Sequence, residues 1–122
     1  MAQEIEIWKD VKGYEGFYAV SNIGRIKSLS RMKIREKGGN FMMKEKILTP
    51  VIKKQGYLVV GLCKYGVTKQ IFIHRIVAEV FVNNNYAKPF VNHINAVPSD
   101  NNTSNLEWVT QKENAEHAVK LG

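Results

Sequence analysis

The 122-residue sequence is 44% hydrophobic and 24% charged, enough apolar material for one folded unit, and its lone cysteine, Cys63, excludes both an internal disulfide framework and a multi-cysteine zinc cage. No apolar run approaches the roughly 18 residues of a membrane helix, and the acidic start Met1-Ala2-Gln3-Glu4-Ile5-Glu6 has the wrong charge for a signal peptide, so the expected compartment is the cytoplasm. The net charge of +7 is polarised: Arg25 to Arg75 holds 13 Lys/Arg against Glu36 and Glu45, the remainder 5 against 9 acids, and a basic middle between mildly acidic ends suits a polyanionic partner.

In chain order, Phe17-Tyr18-Ala19-Val20-Ser21 is a β-like run, Asn22-Ile23-Gly24 supplies a turn, and Arg25-Ile26-Lys27-Ser28-Leu29 alternates polar and apolar residues, which predicts a hairpin. Residues 31–46 are basic, contain Gly38-Gly39-Asn40 and lack a clean period, so a mobile loop or hairpin tip is expected. Tyr57 to Leu62 and Val67 to Ile73 flank a Lys64-Tyr65-Gly66 turn, a second hairpin, and these strands are expected to form one small antiparallel sheet. The period then changes. Ile76, Val77, Val80 and Phe81 share one face of a helix from about His74 to Val82, which Asn83-Asn84-Asn85 stops. Lys88 to Ile94 is β-like, Asn95 to Ser104 is a polar loop broken by Pro98, and Leu106-Glu107-Trp108-Val109 is a short strand. Thr110 and Glu113 have the capping-box spacing that starts a last helix. The fold class is therefore α+β, divided as an antiparallel β module with a basic loop over residues 1–56 and a strand–strand–helix domain over 57–122. His74 is assigned to packing or a helix-end hydrogen bond, the asparagines at 83–85 and 101–102 to caps and turns, and Trp8, Trp108 and the tyrosines to the core.

Val91-Asn92-His93-Ile94-Asn95, then Asn101-Asn102, Asn105-Leu106-Glu107-Trp108-Val109-Thr110 and Asn114 resemble the HNH nuclease family, specifically its phage and intron homing-endonuclease branch. The run from Ile73 to Phe81 fits the same branch, and the run from Trp8 to Gly24 resembles the small nuclease-associated module that commonly precedes it; only about 31–55 is left unmatched. The resemblance implies a ββα-metal nuclease motif behind the β module, in a bacterial or phage-encoded protein that hydrolyses phosphodiester bonds of double-stranded DNA. It implies a divalent ion, Mg²⁺ or Mn²⁺, with no small-molecule cofactor, no membrane partner and no particular oligomeric state.

Phosphodiester hydrolysis requires a base for the attacking water and positive charge at the phosphate and the departing 3′ oxygen. His93, at the end of the first strand of the motif, is the expected general base, since a neutral imidazole suits a pH near 7. Asn114, one turn into the helix, can offer an amide oxygen to an ion, whereas Asn92 faces the other side of its strand unless the strand ends there. The resemblance makes Asn92 and Asn114 the metal ligands, and Asn105 the residue that ties the loop to the strand and so holds the histidine. His117 lies three residues after Asn114 on the same helical face, within reach of the phosphate. Two amide oxygens suit a hard ion better than zinc, and leave the ion's full charge for the phosphate at the cost of weak binding in the free protein. The basic middle is expected to track the DNA backbone through Arg25, Lys27, Arg31, Lys33, Arg35, Lys37 and Arg75.

Two features depart from the family pattern. Asn95-Ala96-Val97-Pro98 stands where Asp-Gly-Asn-Lys is usual, which removes a glycine suited to φ > 0 and a carboxylate, so either the loop is rebuilt or activity is weakened. Homing relatives often continue into a helical DNA-reading domain, whereas this sequence stops at Gly122, and less reading of long sites is expected. The competing readings are a catalytically weak or inactive HNH-fold DNA-binding module and, more remotely, an RNA-binding sheet with Tyr57 and Phe72 as stacking aromatics.

Overall fold

Apolar–polar alternation between closely spaced turns drives the amino-terminal half into antiparallel strands. The computed structural model describes residues 4–35 and 37–121. Strands β1 (Trp8–Asp10), β2 (Tyr18–Ser21) and β3 (Ile26–Ser28) pair in sequence, and the hairpin of β4 (Arg31–Ile34) and β5 (Asn40–Met43) then leaves the sheet before β6 (Lys46–Ile47) returns beside β3. A three-stranded sheet follows, in the order β7 (Val51–Ile52), β8 (Leu58–Lys64) and β9 (Val67–Phe72). The expected single sheet is therefore two sheets and a ribbon. The reason is the core. Val20 and Ile26 of the first sheet and Val60 and Leu62 of the second are all buried in one cluster, and two sheet faces cover each other where one flat sheet would leave a side open. Residues 31–46, expected as loop or hairpin tip, are mostly paired: the ladder runs from Arg31↔Met43 to Ile34↔Asn40.

Helix α1 (Ile73–Phe81) begins one residue before the position predicted from its period and lays Ile73, Ile76, Val77 and Ala78 against that core. Beyond it, β10 (Phe90–His93) pairs antiparallel with β11 (Leu106–Val109), placing Asn92 opposite Glu107 and His93 opposite Leu106. The polar loop between them ends in a single 3-10 turn, Thr103–Asn105. Helix α2 (Gln111–Leu121) starts with the expected capping box: the Thr110 N–H donates to Glu113 Oε1 at 3.0 Å and the Glu113 N–H to Thr110 Oγ1 at 3.1 Å.

The aromatic assignment holds for Tyr18, buried in the core, and for Tyr14 packed against it, and needs correction for both tryptophans and two tyrosines. Trp8 and Trp108 are only half-buried, and Tyr65 and Tyr86 are 84% exposed. Tyr65 occupies the β8–β9 turn at φ 51, where the chain reverses away from the core. No helix among the described residues is long and apolar enough to cross a membrane.

Candidate active site

The site forms where β10 stops. A β-strand sends neighbouring side chains to opposite faces, but β10 ends at His93, and Asn92, His93, Asn114 and His117 line one cleft of about 390 Å³ together with Tyr57 and Pro98. The ion pair of Lys88 Nζ with Glu113 at 2.9 Å ties the first turn of α2 to the segment leading into β10 and helps bring Asn114 over the strand end.

Each residue is held differently. Asn92 is 8% exposed, and its Nδ2 donates to Glu107 Oε1 across the ladder at 3.0 Å, which leaves Oδ1 as the atom it can offer to a cation. His93 is 6% exposed, with Nε2 2.8 Å from Asn101 Oδ1. Asn114 is exposed on α2. His117 Nε2 contacts the Ile94 carbonyl at 2.9 Å, so that nitrogen carries a proton and the ring ties α2 to the end of β10 while lining the cleft. Asn105 lies outside the cleft. Its Nδ2 donates to Asn95 Oδ1 and the Asp100 carbonyl, and its Oδ1 accepts from the Asn95 N–H, so it clamps the loop that follows His93.

The loop after His93 makes a left-handed turn without a glycine. Ala96 takes φ 62, a left-handed conformation that costs a non-glycine residue about 1–2 kcal/mol. Asn95 offsets part of that: its Oδ1 accepts from the Val97 N–H at 2.9 Å, and its Nδ2 donates to Asp100 Oδ2 at 2.8 Å.

Sequence reasoning missed three residues around His93. Asn101, read as a turn former, is 4% exposed and reaches back to the histidine. Tyr57 and His74 pack against the imidazole, with ring centroids 5.8 and 5.0 Å from it. Of the two roles expected for His74, packing is the one observed; α1 has no side-chain cap. Burial, reinforced by His93 and Arg75, pushes the His74 pKa down to about 4. The spacing of Ile73-His74-Arg75 ahead of the motif was visible, but only the docking of α1 beside β10 shows that His74 meets His93.

The seven basic residues expected on DNA divide into two groups. Arg25 pairs with Glu6, Lys27 with Glu45 at 3.2 Å, and Arg75 donates to the Pro89 carbonyl at 3.1 Å. The Arg31 Nη1 donates to the Phe17 and Leu29 carbonyls and to Ser28 Oγ, each at 2.9 Å, which makes it a brace at the base of the ribbon. Lys33, Arg35 and Lys37 are exposed on the β4–β5 ribbon and its tip, with no acidic partner among the described residues.

Compared with known proteins, residues 6–63 match the NUMOD4 motif and residues 72–116 match the HNH endonuclease family. Residues 72–116 thus form an HNH endonuclease segment behind a NUMOD4 segment. DNA endonuclease I-HmuI of Bacillus phage SP01 is 39% identical to it over 115 residues, 94% of this chain and 59% of that one. The uncharacterized HNH endonuclease L245 of Acanthamoeba polyphaga mimivirus is 45% identical over 75 residues, 62% of this chain and 23% of that one. A solved structure of the HNH homing endonuclease I-HmuI superimposes with a TM-score of 0.78 at 38% identity, covering 95% of this chain and 59% of the other. This chain thus spans about 59% of the length of its phage relative, and the α+β reading of its sequence agrees with that match. The NUMOD4 segment spans β1 to β7 and most of β8 and contributes Tyr57 to the cleft, and the HNH segment supplies Asn92, His93 and Asn114.

Proposed function

We propose that this chain is a metal-dependent endonuclease acting on double-stranded DNA, with His93 as general base. One observation carries the reading: a single cleft gathers His93 with the amide side chains of Asn92 and Asn114. The relative whose solved structure is described as showing DNA binding and cleavage supports the substrate class.

The donors fit a hard divalent ion. No group of three or more His, Cys, Asp or Glu side chains among the described residues could hold a metal, so a site here rests on the amide oxygens of Asn92 and Asn114, which suit Mg²⁺ or Mn²⁺ and not zinc. When bound, such an ion supplies positive charge for the phosphate and the departing 3′ oxygen. His93 accepts a proton from water as the new O–P bond forms and the P–O3′ bond breaks, and a proton passes to the leaving oxygen, giving a 5′ phosphate and a 3′ hydroxyl. His117 holds α2 across the end of β10 and faces the phosphate; Asn105 keeps the loop behind His93 closed. Lys33, Arg35 and Lys37 hold the duplex by its backbone.

Incubation of the protein with supercoiled plasmid, with and without Mg²⁺ or Mn²⁺, tests this. Ion-dependent cleavage is expected, lowered by roughly 100-fold or more in His93→Ala with DNA binding kept, since general bases contribute about 10²–10⁴. Asn114→Ala abolishes it and Asn114→Asp, which keeps an oxygen donor, retains it. DNA binding with no cleavage under either ion would establish the inactive-module reading instead.

A further inference from the structure

Which nitrogen of His93 is free to accept a proton is decided by a residue outside the cleft. An amide oxygen carries no proton, so the 2.8 Å contact between His93 Nε2 and Asn101 Oδ1 puts the imidazole proton on Nε2 and leaves the Nδ1 lone pair as the proton acceptor. The opposite amide orientation would have Asn101 Nδ2 donate to Nε2, and the imidazole proton would then occupy Nδ1. Asn101 Nδ2 is buried and has no hydrogen-bond partner among the described residues, so the far end of the amide does not hold it in place. Its backbone does.

That backbone rests on the NUMOD4 segment. The Thr103 N–H and Oγ1–H both donate to the Asn22 carbonyl at 2.8 Å. Asn22 is itself pinned, its Oδ1 accepting from the Ile7 N–H at 2.7 Å and its Nδ2 donating to the Ile5 carbonyl at 3.0 Å. Two residues on, Gly24 has φ 97 and lies so near the loop that a Cβ there would meet Asn101 Cβ and its carbonyl oxygen at 2.9 Å. Only glycine satisfies both that conformation and that approach.

We propose that Asn101 is a positioning residue that fixes Nδ1 of His93 as the proton acceptor, and that the Asn22–Gly24 turn holds Asn101 there, so that the amino-terminal module is part of the cleavage machinery as well as a DNA grip. The proposal rests on His93 being the base. It adds a functional connection between the two matched segments: turn, loop, imidazole.

The direct test is ¹⁵N NMR of histidine-labelled, metal-free protein under conditions where the His93 ring is neutral, its signals assigned by their loss in His93→Ala. The parent shows the Nε2–H tautomer; Asn101→Ala mixes the tautomers, and Asn101→Asp, which keeps an acceptor oxygen, restores Nε2–H. In the plasmid assay Asn101→Ala lowers kcat roughly 10-fold or more with KM for DNA unchanged, as expected for a displaced reacting group. Gly24→Ala changes tautomer and kcat in the same direction, whereas Gly16→Ala, also at positive φ (82) but with nothing within 4 Å of its Cβ, leaves both as in the parent. If Gly24→Ala does not fold, Thr103→Val, which removes one of the two bonds to Asn22, takes its place and moves both readouts less far. A parental Nδ1–H tautomer overturns the proposal, as does an Asn101→Ala variant with parental tautomer and kcat. Parental cutting by His93→Ala instead overturns the base assignment on which it rests.

Discussion

Two imidazoles with ring centroids 5.0 Å apart cannot both take up a proton cheaply, and at His74 burial adds to that cost. His74 packs between Tyr57, Phe72 and His93, with Arg75 beside it in the chain, and its pKa is held down at about 4 against 6.5 for a solvated histidine. A neutral His74 adds no positive charge beside His93, which favours the proton-accepting role proposed for that residue. It also links stability to pH. Between about 4 and 6.5 the unfolded chain binds more protons at this position than the folded one, so stability is complete above about 6.5 and falls as pH drops towards 4. His74→Phe keeps a ring in the aromatic cluster without a titrating group. Urea unfolding across that range should therefore show a shallower acid loss for His74→Phe than for the parent, and equal slopes would remove His74 as the cause.

At the scale of elements, the strand–strand–helix core of the site was legible because each piece carries a local signal. The capping box at Thr110 and Glu113, the period of Ile76, Val77, Val80 and Phe81, and the run from Leu106 to Val109 all fold as their patterns predict. What escaped depends on residues distant in sequence. Nothing in the Asn101–Asn102 pair says which side chain turns to His93, and nothing in the strand alternation says that β1 to β9 divide between two sheets. The basic stretch was legible as charge but not as partners, since Arg25, Lys27 and Arg31 direct theirs inside the protein. The β4–β5 ribbon keeps Lys33, Arg35 and Lys37 outward, and a two-stranded ribbon has the width to lie along a DNA groove. The triple variant Lys33→Ala, Arg35→Ala, Lys37→Ala should flatten the log–log dependence of DNA affinity on salt by about 0.9 unit for each phosphate that the ribbon no longer neutralises. An unchanged slope would leave the ribbon as a solubilising surface.

At the scale of the whole molecule, the two matched segments share one interior. Val11, Tyr18, Val20, Ile26, Val60 and Leu62 of the NUMOD4 segment lie in the same buried cluster as Ile73, Ile76, Val77 and Leu106 of the HNH segment. Leu106 is the residue directly opposite His93 in the β10–β11 ladder, so the cluster reaches the backbone of the site itself. A cavity cut on the far side of such a core is felt throughout it, because close-packed side chains relax only partly around lost volume. Ile26 is 1% exposed on β3, and Ile26→Ala should lower global stability by about 2–5 kcal/mol. The distribution of that loss is the informative part. If the two segments unfold as one cooperative unit, amide hydrogen exchange in β10 and β11 accelerates by the same factor as in β2 and β3, although Ile26 is not among the residues lining the cleft. If the segments were independent, β2 and β3 would lose protection while β10 and β11 kept theirs. A shared loss would mean that substitutions in the amino-terminal sheet reach the cleft through stability as well as through the Asn22–Gly24 turn. The two routes separate by temperature: well below the unfolding transition Ile26→Ala recovers parental kcat, whereas a variant that displaces Asn101 does not.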